Sequence, residues 1–346
     1  MRRSLAVVGT AMALTAVFTS SATAATGWRI TGSHAGAALR AVAAVSAKNV
    51  WAVGSETVSG KNRALVRHWN GKTWKTVAVP SALKRIYLDH VAASSSTNVW
   101  VTGTDAQTYK AYSLRWDGRK WHTGPSHTAF EPGGDAIAAI GTKDVWLLGR
   151  GANDLAAGQA RHFDGKHWKT VSVPGFVSDV SAVSSRDIWA IGLVRGKNSY
   201  EAAVTHWNGK TWRRVSTGTE DVMYDSVRAL GAKNVWVSGS MGGSVLHWNG
   251  TKWASTSPGH GIIRVGSLVS DGAKGLWGVA DGTRLLRYHA GHWSLSALPQ
   301  RAGHTTQIGA LAQVKGTTSV WGVGVLTVSK GDEDVETADV IVKYGH

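Results

Sequence analysis

Three carboxylates, Asp89, Asp135 and Asp225, stand at matching places, each just ahead of or within the first residues of a short apolar run. Arg40, Arg264 and Gln307 hold the comparable place in other runs, and Tyr87, His90 and Tyr224 lie beside them. Carboxylates brought together around one opening could coordinate Ca²⁺, which takes six to eight oxygens, or hydrogen-bond a sugar. Two of them held either side of a glycosidic bond would support hydrolysis or elimination on a polysaccharide. The plainer reading is that each Asp accepts hydrogen bonds from the amides of its own turn. Spacing along the chain does not fix the separation of any pair, so no catalytic residue is assigned. The chain has no Cys, which excludes disulfides, a thiolate nucleophile and zinc–thiolate sites.

A second set of residues is cationic. Lys48, Lys143, Arg186, Lys233 and Lys274 fall in one series of short turns, and Lys72, Lys120, Lys166, Lys210 and Lys252 in another. The formal charge is +16. Such a field attracts polyanions, although Lys is also a good solubilising residue in any turn. A third set, His68, Arg115, His162, His206, His247, Arg287 and Lys343, precedes each second turn. The spacing between its four His is too wide for one metal ion, and each reads as a structural hydrogen-bonding group; no metal site is expected.

What positions these residues is a repeat. An apolar run with a Trp near its centre recurs at Trp51, Trp100, Trp146, Trp189, Trp236, Trp277 and Trp321, in steps of 49, 46, 43, 47, 41 and 44 residues. A period in the forties marks propeller blades or helical repeats. Runs such as Val50-Trp51-Ala52-Val53-Gly54 are short, β-branched or aromatic and stopped by Gly, as strands are. Each unit reads as four antiparallel strands, a to d, illustrated by Val42–Val45, Val50–Val53, Leu65–Trp69 and Trp74–Val77. The c–d connection carries Asn70-Gly71, Asp117-Gly118, Asp164-Gly165, Asn208-Gly209 or Asn249-Gly250, dipeptides that make tight hairpins. The last unit stops after Tyr344 with no strand d, and Gly27-Trp28-Arg29-Ile30-Thr31 is a strand d with nothing before it. The expectation is an all-β, seven-bladed β-propeller whose last blade is closed by the N-terminal strand around Trp28, hiding the open sheet edges. The 18 Trp belong almost wholly to the repeat and are expected between blades rather than on a binding surface.

In that arrangement the a–b and c–d turns emerge on one face and carry both cationic series. The b–c and d–a loops emerge on the other, with the Asp set at the mouth of the central channel. The b–c loops are expected to vary from Met241-Gly242-Gly243 to a long loop, Leu326 to Ala338, holding Asp332, Glu333, Asp334 and Glu336. Variable loops on a rigid scaffold are where function concentrates.

The repeated phrase, an apolar strand ending in Gly, then an aromatic before a turn and a Trp after it, resembles the kelch repeat of galactose-oxidase-like propellers. It is also similar to secreted bacterial propellers of unassigned function that repeat DVWAVG and HWNGxxW. The likeness covers nearly all of residues 27–346 and implies a repeat protein acting as a binding module. Kelch units carry a Gly pair after strand b where this chain has one Gly, as at Gly54, Gly103 and Gly149. The copper oxidases of that fold need a Tyr–Cys crosslink that a Cys-free chain cannot form. Asn70-Gly71-Lys72-Thr73-Trp74 is similar to the sialidase Asp-box but one residue too short, and no Arg triad accompanies it.

Arg2-Arg3, an apolar stretch from Leu5 to Phe18 and Ala22-Thr23-Ala24 form a signal peptide over residues 1–24, followed by one propeller domain over 25–346. Removing Arg2 and Arg3 leaves 36 Lys and Arg against 22 acids, a formal +14. The expectation is therefore a basic, secreted, monomeric protein, extracellular or associated with the cell wall, with no transmembrane segment. Its expected partner is an anionic cell-wall polymer, a glycan or a protein. No nucleic-acid motif is present and the Trp are committed to packing, so sequence-specific nucleic-acid binding is not expected. No cofactor is expected beyond Ca²⁺ at the channel mouth. The alternative is a polysaccharide-active hydrolase or lyase at that mouth.

Overall fold

The structure, a computed structural model, describes residues 27–80, 85–105, 107–128, 135–150, 158–219, 223–239, 242–259, 261–331 and 333–345. The signal-peptide reading, Met241 and Asp332 lie outside these residues.

Seven four-stranded antiparallel sheets succeed one another along the chain. In blade 1 the strands from axis to rim are Ala37–Ser46, Asn49–Val58, Lys61–Trp69 and Trp74–Thr76. Strands a and b extend well beyond the apolar cores read from the sequence, because ladder pairing continues into polar residues such as Glu56, opposite Arg63. Blade 7 takes its innermost three strands from Thr305–Gln313, Val320–Lys330 and Glu333–Tyr344, and its outermost from Trp28–Gly32. Trp28 pairs with Tyr344 and Ile30 with Val342, so the two ends of the chain close the ring.

The expected long loop from Leu326 to Ala338 is instead a hairpin. Leu326 pairs with Ala338, Val328 with Val335 and Lys330 with Glu333, the chain reversing at Gly331. Apolar residues at alternate positions and a Gly at φ 66° account for the difference.

The Trp set is interblade packing, as its place in the repeat predicts. The aromatic ending strand c and the Trp opening strand d close on the strand-b Trp of the preceding blade. Trp116 and Trp121 meet Trp51 at 5.8 and 6.2 Å, and Trp207 and Trp212 meet Trp146 at 5.0 and 5.8 Å. Trp69 and Trp74 both meet Trp321 at 5.3 Å across the seam between last and first blades. At the closing blade the pair is Tyr344 and Trp28, from opposite ends of the chain, set on Trp277. Edge-to-face and tilted rings at these distances add to the area they bury.

A β-bulge early in strand a sets how that strand meets the channel. It falls between Leu39 and Ala41, Leu88 and His90, Val177 and Asp179, Tyr224 and Ser226, and Ile308 and Ala310. The bulge swings a carbonyl over strand b. A Cβ on Gly54 would lie 2.0 Å from the Ala38 oxygen, and one on Gly103 2.1 Å from the Tyr87 oxygen. Gly54 and Gly103, like Gly192 and Gly324, are thus close-approach residues, which the sequence pattern shows as strand terminators.

Candidate functional site

The basic face comes from the turns. In the c–d hairpin, Asn70 Oδ1 accepts from the amides of Lys72 and Thr73 at 2.9 and 3.0 Å, and Gly71 takes φ 97°. Asp117, Asp164, Asn208 and Asn249 repeat this cap. Among them the Asp117 and Asp164 carboxyls are held well below the usual range, first by hydrogen bonding to His122 and to the His167 amide, respectively. The a–b turn of the same blade packs on that Gly: a Cβ at Gly71, Gly165, Gly209 or Gly250 would fall within 2.6–2.9 Å of the Cγ of Lys48, Lys143, Arg186 or Lys233. The two turns therefore share one face, and the stems of the four cations lie against glycine backbone. All ten Lys and Arg of the two series are exposed, and none forms an ion pair among the described residues.

The His series is structural, as expected. His68, His162, His206 and His247 stack on Trp51, Trp146, Trp189 and Trp236 at 4.1–4.4 Å. Each Nε2 meets the residue opening strand b, Asn49, Asp144, Asp187 or Asn234, at 2.8–3.3 Å. The same oxygen accepts the Trp indole N–H at 2.7–3.1 Å. Burial lowers the pKa of His68 and His247, whose neighbour is a neutral Asn. Arg115 reaches Asn98 at 3.1 Å, Arg287 reaches Asp271 at 2.9 Å, and Lys343 sits 5.1 Å above the Trp321 ring.

The opposite mouth is largely self-neutralised. Arg264 clasps Asp225 through two hydrogen bonds of 2.5 and 3.0 Å, and this pairing raises the Arg264 pKa. Arg40 meets Glu336 at 3.2 Å, and Gln307 donates to Asp334 at 3.2 Å. The Tyr224 hydroxyl is within 2.7 Å of Thr217, Tyr87 bonds to Asn62, and Asp89 has an interaction of its own. Of the nine residues read as a mouth cluster, Arg40, Asp89, His90 and Asp225 line the channel. Asp135 does not. Its carboxylate lies instead against Gly149, where a side chain there would be. Burial pushes its carboxyl up to about 7, against the influence of Arg161. Among the described residues no group of three or more His, Cys, Asp or Glu is placed to hold a metal ion.

The channel encloses about 810 Å³ and, on its strand-a walls, contains two charges that the repeat pattern did not single out, Asp179 and Arg228. They occupy strand-a positions that other blades give to Ala, as at Ala41 and Ala43, and that substitution in an Ala-rich strand was the available signal. Asp179 accepts from the Val227 amide at 2.9 Å and from the Ser226 hydroxyl at 3.3 Å, and burial pushes its carboxyl up to about 6. Burial also lowers the Arg228 pKa, and Nε of that residue has no hydrogen-bond partner.

No helix among the described residues is long and apolar enough to cross a membrane. No protein-family model matches the sequence, and no curated protein matches it. Solved structures do. The chain is similar to YCF48 bound to D1 peptide, with a TM-score of 0.65 and 15% identity, over 92% of this chain and 96% of that one. It is similar to the WD40 β-propeller domain of Doa1, with a TM-score of 0.64 and 12% identity, over 92% and 97%. It is also similar to virginiamycin B lyase from Staphylococcus aureus, with a TM-score of 0.61 and 10% identity, over 91% and 99%. A scaffold shared by peptide-bound, WD40 and lyase propellers at such identities establishes the seven-bladed fold and leaves the ligand to the residues of this chain.

Proposed function

We propose that the protein is a secreted, non-enzymatic binding propeller that engages an extracellular anionic polymer through its basic turn face. The observation that carries this reading is the contrast between the faces. The ten cations of the turns are exposed and without ion pairs among the described residues, whereas Arg40, Arg264 and Asp225 at the opposite mouth are engaged with one another or with Glu336. Stems laid against turn glycines spend little further conformational freedom when the charge meets an anion. Each Lys near an anionic surface contributes roughly 1 kcal/mol at ordinary salt. The signal peptide over 1–24 and the likeness of the repeat phrase to secreted kelch-like propellers support export and a single domain over 25–346. Residues 25–346 as a monomer are expected to bind cell-wall material bearing phosphate polymer, and to elute with salt. Stripping the polymer, or the fourfold variant Lys48→Glu, Lys143→Glu, Arg186→Glu and Lys233→Glu, should abolish retention. Equal retention on stripped material, or by the fourfold variant with its melting temperature intact, overturns the reading.

A further inference from the structure

The inner edge of a propeller is a ring of open strand edges. Strand a has no partner on its axial side, so its alternate amides point into the channel. By register these are the residues paired with the position after each strand-b Trp: Val42, Val91, Ile137, Val180, Val227 and Leu311 in six blades, with Leu268 at the bulged equivalent in blade 6.

Four of these amides are capped by side chains. Val227 N–H donates to Asp179 Oδ2 at 2.9 Å, Leu268 N–H to Ser226 Oγ at 3.0 Å and Leu311 N–H to Ser267 Oγ at 2.8 Å, each cap coming from the preceding blade. Val180 N–H is taken by Asp179 Oδ1 at 2.8 Å. One level deeper, Ala229 N–H donates to Ser181 Oγ at 3.0 Å. The other three amides have no side-chain cap among the described residues. The residues at the capping position before Val42 and Val91 are Ala310 and Ala41, which have nothing to offer. Before Ile137 it is His90, whose ring makes no hydrogen bond among the described residues and which burial keeps neutral down to about pH 4.

The channel is thus closed off by its own side chains along blades 4 to 7 and left with open donors along blades 1 to 3. Unsatisfied buried donors are costly, and a cavity of about 810 Å³ is of the size that takes a small molecule. Asp179 shows what fits: a carboxylate lying along the inner edge, accepting two backbone N–H groups and one hydroxyl. Across the lumen, Arg228 adds a positive charge, offset in part by Asp179. We propose that the channel binds a small carboxylate-bearing molecule, its carboxylate held by the open amides of Val42, Val91 and Ile137 beside His90 and facing Arg228. This site is separate from the basic turn face and does not depend on it.

The test uses residues 25–346 with glucuronate as the probe, glucose as the same ring without the carboxylate, and inorganic phosphate as a competing anion. Titration followed by amide nitrogen–proton spectra should move Val42, Val91 and Ile137 with glucuronate and not with glucose. Ala41→Ser places over Val91 the cap that Ser226 places over Leu268, and should weaken glucuronate binding about tenfold or more while leaving the fold intact. Arg228→Gln should weaken it about tenfold. In the free protein these three amides should exchange with solvent faster than Val227, Leu268 and Leu311. No shift with glucuronate, equal shifts with glucose, phosphate in place of the carboxylate, undiminished binding by Ala41→Ser, or equal protection of all six amides each overturns the assignment.

Discussion

Ring closure in this propeller rests on a buried charge as well as on paired strands, and Asp339→Asn measures it. Asp339, on the third strand of blade 7, is fully buried, and Arg67 of blade 1 is 5% exposed. Arg67 Nε lies 2.9 Å from Asp339 Oδ2, an ion-pair contact whose N–H is not aligned as a hydrogen bond. The other carboxylate oxygen accepts the His34 amide at 2.6 Å, and the Asp339 amide donates back to the His34 carbonyl at 3.0 Å. One carboxylate therefore joins blade 7, blade 1 and the segment leading out of the N-terminal strand. Asn keeps the shape and an acceptor for His34 but leaves the Arg67 guanidinium uncompensated in the seam. Breaking a buried pair in this way costs about 3–5 kcal/mol. With about 2.1 cal/mol/K of unfolding entropy per residue over some 320 residues, the melting temperature should fall by about 4–7 °C. Calorimetry at pH 7 reads the shift, and hydrogen exchange should show residues 28–36 opening first. The double variant Arg67→Met/Asp339→Leu, which removes both charges, should recover most of the loss. A single variant melting within about 1 °C of the parent, or a double variant no better than the single, would refute the reasoning.

Gly54→Ala should destabilise by about 1–3 kcal/mol or more, because the new Cβ meets the Ala38 carbonyl at 2.0 Å and backbone must move; a variant with unchanged denaturant midpoint would show that the bulge is not rigid. Asp135 has a folded pKa of about 7, above its unfolded value, so its contribution is complete below about pH 4 and is lost as pH rises through 7. Asp135→Asn cannot ionise and should gain on the parent between pH 5 and pH 8, by about 2.7 kcal/mol for the two pH units up to 7, and an unchanged melting difference at the two pH values counts against a buried neutral carboxyl. His90 has the opposite sign: its folded pKa of about 4 lies below its unfolded value, so stability is complete above about pH 6.5 and falls as pH drops towards 4. Asp179, also in the channel, gains in the acid direction, so the comparison to make is His90→Gln against the parent. The variant should lose less between pH 7 and pH 4.5, and parallel melting profiles would exclude the imidazole as the cause.

The fold was legible because every blade solves the same packing problem with the same residues. A Trp on strand b needs two aromatics from the next blade, and the chain repeats that demand from Trp51 to Trp321. The missing strand d after Tyr344 and the lone strand at Trp28 are the same arithmetic at the ends. The channel was less legible, for a reason that lies in the bulge. One extra residue in strand a reverses which side chains face the axis, and no residue type marks its presence: the bulged residue is Arg40, Asp89, Ser178, Asp225 or Gly309. Asp135 turns into the blade, against Gly149, although the Ile137-Ala138-Ala139 run that follows it is like the Val91-Ala92-Ala93 run that follows Asp89. Because of the bulge in blade 4, Asp179 rather than Ser178 reaches the next blade's amide.

The same geometry separates what the repeat builds from what it leaves free. A position that recurs in type, such as the His over four of the strand-b Trp, is consumed by its own blade: its nitrogen meets the Asn or Asp that also holds the indole. A position that varies while its backbone environment stays constant is where the chain departs from self-satisfaction. The capping position of strand a carries Asp179, Ser226 and Ser267 along one side of the channel and Ala310, Ala41 and His90 along the other. The inward amide it faces is present in every blade, so the donors are supplied all round the ring and only their acceptors differ. On the outer turn face the opposite holds: Lys48, Lys143, Arg186 and Lys233 recur yet are consumed by nothing, since the turn glycine each lies against offers only backbone. Recurrence without an internal partner on one face, and loss of an internal partner on part of the channel wall, are the two places where this propeller has binding capacity left over after folding.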